Sequence, residues 1–191
     1  MRKNDQRRNT LLDAAIEVLA REGARGLTFR AVDAEAGTPT GTATNYFANR
    51  DDLLMQIADR VYQRWMPDEA TWAAAEAGPR DTAKVTELMR ETVGRVAGFR
   101  SGYLAMLELR LEATRRPALR VVLTGRVRAD MDANVSYHLK RGLPGDANSV
   151  RLLILALNWL IVETLTLPEL FAPEEVDELV VKAVERSLAV T

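Results

Sequence analysis

The chain has 191 residues, 47% of them apolar, and a formal net charge of −1 at neutral pH. It carries no cysteine and one histidine, His138, which excludes disulfides and thiolate metal sites and fits a reducing compartment. No metal and no cofactor is expected, because one imidazole with carboxylates makes a poor zinc site. Ser-His-Asp chemistry would hang on His138 alone, in Tyr137-His138-Leu139-Lys140, with no catalytic signature around it.

In chain order, Met1-Arg2-Lys3-Asn4-Asp5 is polar and no apolar run follows it, so no leader is expected. Residues 1–50 hold eight Lys/Arg against six Asp/Glu, with Arg2, Lys3, Arg7 and Arg8 clustered at the start. Leu11, Leu12, Ala15, Ile16 and Leu19 repeat at helical spacing, and Gly23 stands where such a helix stops. Thr28 caps a second helix to about Ala36, and Gly37 ends it. Thr38 and Pro39 open a short third helix, predicted to end near Phe47. Asn49, with Asp52 three residues on, caps a fourth that runs to Trp65. The alanine-rich polar stretch through Gly78-Pro79 reads as a connector. Further helices are predicted over 82–96, 101–114, 118–140, 148–167 and 174–189. Leu152–Leu167 is interrupted by Asn158, Glu163, Thr164 and Thr166; it reads as a buried helix, and no membrane partner is expected. The fold class is all-α, with about nine helices.

The functional signal lies in residues 28–47. Two helices joined by a very short glycine turn describe a helix-turn-helix, whose second helix enters the DNA major groove. On a helical wheel Pro39, Ala43, Tyr46 and Phe47 share one side, while Gly41 and Asn45, flanked by Thr42 and Thr44, lie opposite. The second set is small, polar and uncharged. Asparagine can pair with an adenine edge, threonine offers a hydroxyl and a methyl, and glycine permits close backbone approach. Helix N-termini and Arg50 add phosphate-binding groups. Candidate DNA contacts are Thr28, Arg30, Thr38, Thr40, Gly41, Thr42, Thr44, Asn45, Tyr46 and Arg50.

The run from Gly37 through Asn45-Tyr46-Phe47 to Leu53, with Ala14–Leu19, Gly23 and Leu27–Val32 before it, resembles the DNA-reading segment of the tetracycline-repressor (TetR) family. It differs where Ala43 replaces a large apolar residue, and where Thr44 replaces a phosphate-touching tyrosine, in many members. The resemblance implies an N-terminal three-helix DNA-binding domain, expected at 1–48, and a helical effector-binding and dimerisation domain at 49–191. It implies a cytoplasmic homodimeric repressor that binds double-stranded DNA at a palindromic operator and responds to a small-molecule effector. A helical small-molecule-binding protein or enzyme without DNA affinity, and a helical protein-binding adaptor, are the alternatives.

Bulky or polar residues at helical spacing nominate an effector pocket of Trp65, Met89, Val93, Phe99, Tyr103, Met106, Arg110, Asn158 and Glu163, with Glu108 a further polar candidate. The last two helices are apolar beyond one core face, which nominates Leu155, Trp159, Val162, Val176, Leu179, Val180 and Val184 for an isologous dimer interface.

Overall fold

A computed structural model describes residues 2–188, with side chains from Asn4 onward. Arg2 and Lys3 of the basic cluster, as side chains, and Ala189 at the expected end of the last helix lie outside the described set. Among the described residues the chain forms nine α-helices and one 3-10 turn, and no strand. They are α1 (Arg2–Gly26), α2 (Phe29–Glu35), α3 (Arg50–Trp65), α4 (Glu69–Glu76), α5 (Thr82–Ala97), α6 (Arg100–Ala113), α7 (Pro117–Lys140), α8 (Ala147–Thr166) and α9 (Pro173–Leu188), with the 3-10 turn at Ala43–Asn45.

The count matches expectation, but its membership differs. The expected third helix is the 3-10 turn, and the expected connector contains α4. Both differences have local causes. Gly41 sits at φ +93°, where no α-helix can pass. Glu69–Glu76 is half alanine, the best helix former, and Asp68 caps it by accepting the Thr71 N–H at 2.8 Å. Elsewhere the caps read from sequence are in place. Thr28 accepts from Ala31 N–H and Asn49 from Asp52 N–H; Asp146, which was not among the expected caps, accepts from Ser149 N–H and starts α8 at Ala147. Gly23, at φ 67°, breaks α1 near its end.

Packing groups the chain into two compact units that do not follow the expected division at residue 48/49. The first holds Met1–Met66 and Phe99–Arg126; the second holds Pro67–Gly98 and Val127–Thr191. The first unit takes all of α3 because that helix is amphipathic along its length. Leu53, Leu54, Ile57 and Val61 are fully buried, as are Leu11, Ile16 and Leu19 of α1 and Leu109 of α6. Arg60 of α3 clamps Asp13 of α1 through two bonds of 2.8 and 2.7 Å, and their mutual attraction holds the Arg60 pKa above its ordinary value.

The second unit is built from α4, α5, most of α7, α8 and α9. Its core joins Val85, Leu143, Leu153, Leu157, Leu160, Val180, Val184 and Leu188. His138 is buried at the end of α7, where its Nε2 lies 2.7 Å from the Pro144 carbonyl; it closes a turn, as a helix-end histidine should. By length and hydropathy α8 alone among the described helices could cross a membrane, yet only 28% of its apolar window is buried within the chain. The expectation of a buried helix therefore holds for one face only: Val150, Leu153, Leu157, Leu160, Ile161 and Leu165 point inward, and Leu152, Leu155 and Trp159 do not.

Candidate nucleic-acid interface

The segment from Thr38 to Asn49 is carried between α2 and α3. Ala43 and Phe47 anchor it, at 0% and 2% exposure, and the Phe47 ring stacks on Phe29 of α2 at 6.5 Å. Between these anchors the backbone closes tight turns, with Asn45 N–H on the Thr42 carbonyl and both Tyr46 and Phe47 N–H on the Ala43 carbonyl. Thr40, Thr44 and Asn45 are exposed, and Thr42 and Tyr46 half-buried. The division expected from the wheel thus survives the change from α-helix to 3-10 turn, except that Pro39 is exposed.

The polar side chains of this edge are held in place. Thr42 Oγ1 donates to the Pro39 carbonyl at 2.6 Å. Thr44 Oγ1 and Asn45 Nδ2 both donate to the Gly41 carbonyl, at 2.7 and 3.2 Å. Behind them lies a residue the sequence reading missed. Asp33 of α2 is 2% exposed; its Oδ2 accepts the Gly41 N–H at 2.7 Å and its Oδ1 accepts the Ala43 N–H at 2.7 Å. The Thr38 hydroxyl lies 3.3 Å from both Oδ1 and the Asp33 carbonyl. A signal for Asp33 was available, since it falls with Phe29 and Val32 on the inward stripe of α2. A carboxylate there must find donors.

These bonds alter the expected phosphate sites. The expected third-helix N-terminus does not form, and the Gly41 and Ala43 N–H groups donate to Asp33. Thr28 and Asn49 each consume one N–H of α2 and α3. Arg50, expected as a phosphate cation, turns its Nη2 onto the Ala24 carbonyl, and its Nε is buried with no partner. Arg30 is exposed on α2. Beside the reading edge, Arg8 stands 5.9 Å from the Tyr46 ring centre, and an open groove is lined by Asn4, Gln6, Arg7, Thr10 and Tyr46. That surface offers cations, amides and an aromatic face together.

Glu108 of α6, expected near an effector, accepts the Ala24 N–H at 3.1 Å. The turn after Gly23 is thereby held from both sides, by Glu108 and Arg50. At the N-terminus of α3, Arg116 bridges Asp51 and Glu112; its guanidinium and that of Arg115 hold the Glu112 carboxyl below its ordinary pKa.

The expected pocket residues fall into two sets. In the first unit, Trp65 meets Tyr62 edge-on at 5.5 Å and Tyr103 at 5.8 Å, and Met106 is buried. Burial pushes the Tyr103 hydroxyl pKa up, against the charge of Arg110, which is itself exposed. Phe99 lies 3.6 Å beneath the Arg64 guanidinium. In the second unit Met89 and Val93 pack on the core, Glu163 is half-buried and Asn158 exposed.

Of the residues expected at a dimer interface, Leu155 and Trp159 are 58% and 65% exposed and Leu179 is also exposed. Val162 and Val176 are half-buried. Val180 and Val184 are corrected: at 2% and 0% exposure they are core of their own unit, because α9 turns them onto Val85 and Leu153.

A two-helix reading head with a small polar edge, carried on a third packed helix, defines a helix-turn-helix DNA-binding protein. Family comparisons agree. Residues 11–57 match the description "Bacterial regulatory proteins, tetR family", and residues 80–189 match "Tetracyclin repressor-like, C-terminal domain". The chain belongs to the TetR family of transcriptional regulators.

A curated relative from Xanthobacter autotrophicus, an HTH-type transcriptional regulator in the dhlA 5′ region, is 35% identical over 92 residues. That match covers 48% of this chain and 46% of the relative, so the chain spans about half the relative's length. A TetR-family structure from Streptomyces coelicolor A3 is 29% identical over 96% of this chain and 99% of its own, with a TM-score of 0.71. The multidrug binding protein EbrR, solved with ethidium, is 28% identical over 96% and 99%, TM-score 0.68. A family member from Mesorhizobium loti shares the fold at TM-score 0.77 with 16% identity, over 97% and 96%.

Proposed function

We propose that the protein is a cytoplasmic, homodimeric repressor that reads a palindromic duplex and is released from it by a small, mostly apolar molecule. The observation that carries the DNA reading is the fixed polar edge of Thr42, Thr44 and Asn45 above buried Ala43 and Phe47. Asn45 and Thr44 supply base contacts, while Thr28, Arg30, Thr38, Thr40, Gly41 and Tyr46 line the surface around them. Arg50 serves this surface indirectly, by holding the Ala24 turn.

Dimerisation is supported by the apolar surface that α8 leaves exposed. A two-fold protein reads half-sites about one helical turn apart, or a multiple of it. Effector binding is supported by the aromatic pair Trp65 and Tyr103, and by the relative EbrR, solved with ethidium and with imidazole. The switch proposed is α3. Its first turn follows the reading edge and its last turn carries Trp65, so a ligand against Trp65 can tilt the helix that positions the edge. A coupling of about 1–3 kcal/mol changes DNA affinity roughly 5- to 150-fold, and DNA weakens the ligand by the same factor.

Selection of bound sites from a random duplex pool tests the reading. A palindromic sequence bound with a steep salt dependence is the expected result. Ethidium and imidazole then serve as first effector probes, followed by Trp65 fluorescence with and without the selected duplex. Equal ligand affinity in both conditions rules out the switch, and a pool that yields no preferred sequence rules out the reader.

A further inference from the structure

We infer that Asp33 is the positioning residue that sets DNA sequence preference in this protein, through a chain of hydrogen bonds that runs from its buried carboxylate to the exposed readers. The inference rests on the DNA reading proposed above. Its links are all observed. The Asp33 carboxylate takes the Gly41 N–H on one oxygen and the Ala43 N–H on the other, both at 2.7 Å. The carbonyl of the same Gly41 accepts Thr44 Oγ1 at 2.7 Å and Asn45 Nδ2 at 3.2 Å. One peptide residue therefore connects a buried anion to both candidate base readers.

The arrangement also accounts for the backbone. At φ +93° Gly41 cannot belong to a helix, and a Cβ there would meet nothing within 4 Å. Conformation, not space, requires glycine at this point. What holds the conformation is the grip of Asp33 on either side of Thr42: two charge-assisted bonds, each stronger than a neutral one, to groups that would otherwise be unpaired N–H dipoles. With Thr38 also against it, the carboxylate fastens the beginning, middle and end of the turn that joins α2 to the reading edge.

Electrostatics separates this role from simple structural support. An anion behind a DNA-facing surface repels phosphate. It therefore does nothing for non-specific affinity and contributes only through geometry. Asp33→Asn keeps the shape, removes the charge, and replaces one acceptor oxygen with an NH2 that faces an N–H donor. The turn then loses one of its two fastenings.

The experiment starts from the full-length protein and a duplex enriched by it from a random pool, with a scrambled duplex of equal length as control. For Asp33→Asn, affinity for the enriched duplex should fall about 10- to 100-fold, the range set by losing one buried charge-assisted bond. Affinity for the scrambled duplex should stay equal or rise. Unchanged preference in Asp33→Asn overturns the inference, while the wild type's own selection shows the DNA reading intact. Equal losses on both duplexes, with loss of helical circular dichroism, overturn it in favour of plain structural support. Failure of the wild type to enrich any duplex overturns the DNA reading and this inference with it. A measurement independent of the variant is amide exchange in the DNA-free wild type. The Gly41 and Ala43 amides should exchange at least tenfold more slowly than that of exposed Thr40, and equal rates overturn the inference.

Discussion

The reading head and α8 treat apolar surface in opposite ways. From Asn4 to Trp65 no large apolar side chain among the described residues is exposed, and Leu11, Ile16, Leu19, Leu27, Phe47, Leu53, Leu54 and Ile57 are essentially dry. Along α8, Leu152, Leu155 and Trp159 are 63%, 58% and 65% exposed, one face of a helix whose other face is core. At about 25 cal/mol per Å² of apolar surface, such a face favours burial against a second surface. The reading head has finished its packing and spends its polar groups on precise turns, whereas α8 carries its unused affinity on the outside. A head that must present an edge in fixed geometry needs internal closure. A helix proposed to join two copies needs the reverse.

The largest expected effect breaks the contrast at α8. Leu155→Glu with Trp159→Glu should raise the dimer dissociation constant by at least about 1,000-fold, ~4 kcal/mol, while the protomer stays folded, because both side chains already face water. Sedimentation mass checks it, and a folded, fully dimeric double variant removes α8 from the interface.

Next come the two neighbours Leu152 and Leu153. Leu153→Ala opens a core cavity and should cost about 2–5 kcal/mol of stability; on the protomer, Leu152→Ala should change stability by no more than about 0.5 kcal/mol. Denaturant unfolding at concentrations where the protein is monomeric reads both, and equal losses would mean the two faces of α8 are not distinct.

A smaller effect sharpens the comparison on the reading edge. Asn45→Ala should weaken binding to the selected duplex by about 1–3 kcal/mol and relax preference at one position of each half-site. Repeating the site selection with this variant is the check, and the same consensus would take Asn45 out of base reading.

The smallest effect concerns pH. The folded Glu112 carboxyl is held below its ordinary value by Arg116 and Arg115. Its contribution is thus present above the unfolded pKa and lost as pH falls through the folded one. Wild type should exceed Glu112→Gln in stability by about 0.5–1 kcal/mol at neutral pH, and the difference should vanish in acid, below the ordinary glutamate range. Melting both proteins across that range tests it; a difference that persists in acid assigns the effect to something other than the charge.

Much of this molecule follows from local chemistry. Helix starts at Thr28 and Asn49 are fixed by a side-chain oxygen meeting an N–H three residues on, and the ends at Gly23 and Gly37 by backbone freedom. Those events lie within one turn of chain, so they are legible in sequence. The wheel placed Ala43 and Phe47 inside and Asn45 outside for the same reason, and the family resemblance rested on these very residues. The alanine-rich α4 was also written locally, in helix propensity, and was missed only because its charge and loop-like neighbours suggested a connector.

What the sequence alone could not decide is which partner each face meets. Periodicity puts Val180 and Val184 on one stripe of α9 and Leu179 beside it, but only the closed packing with Val85 and Leu153 makes the first two core and leaves the third exposed. It is likewise the folded chain that carries Asp33 to Gly41 and Ala43, Glu108 to Ala24 across 84 residues, and Arg50 onto the Ala24 carbonyl. A hydrogen bond has no signature in sequence until the fold brings donor and acceptor together. The sequence by itself determined a helical protein with a reading head near its start. The tertiary structure decided how that head is held, because a buried carboxylate is tolerable only where the fold has already gathered the N–H groups that satisfy it.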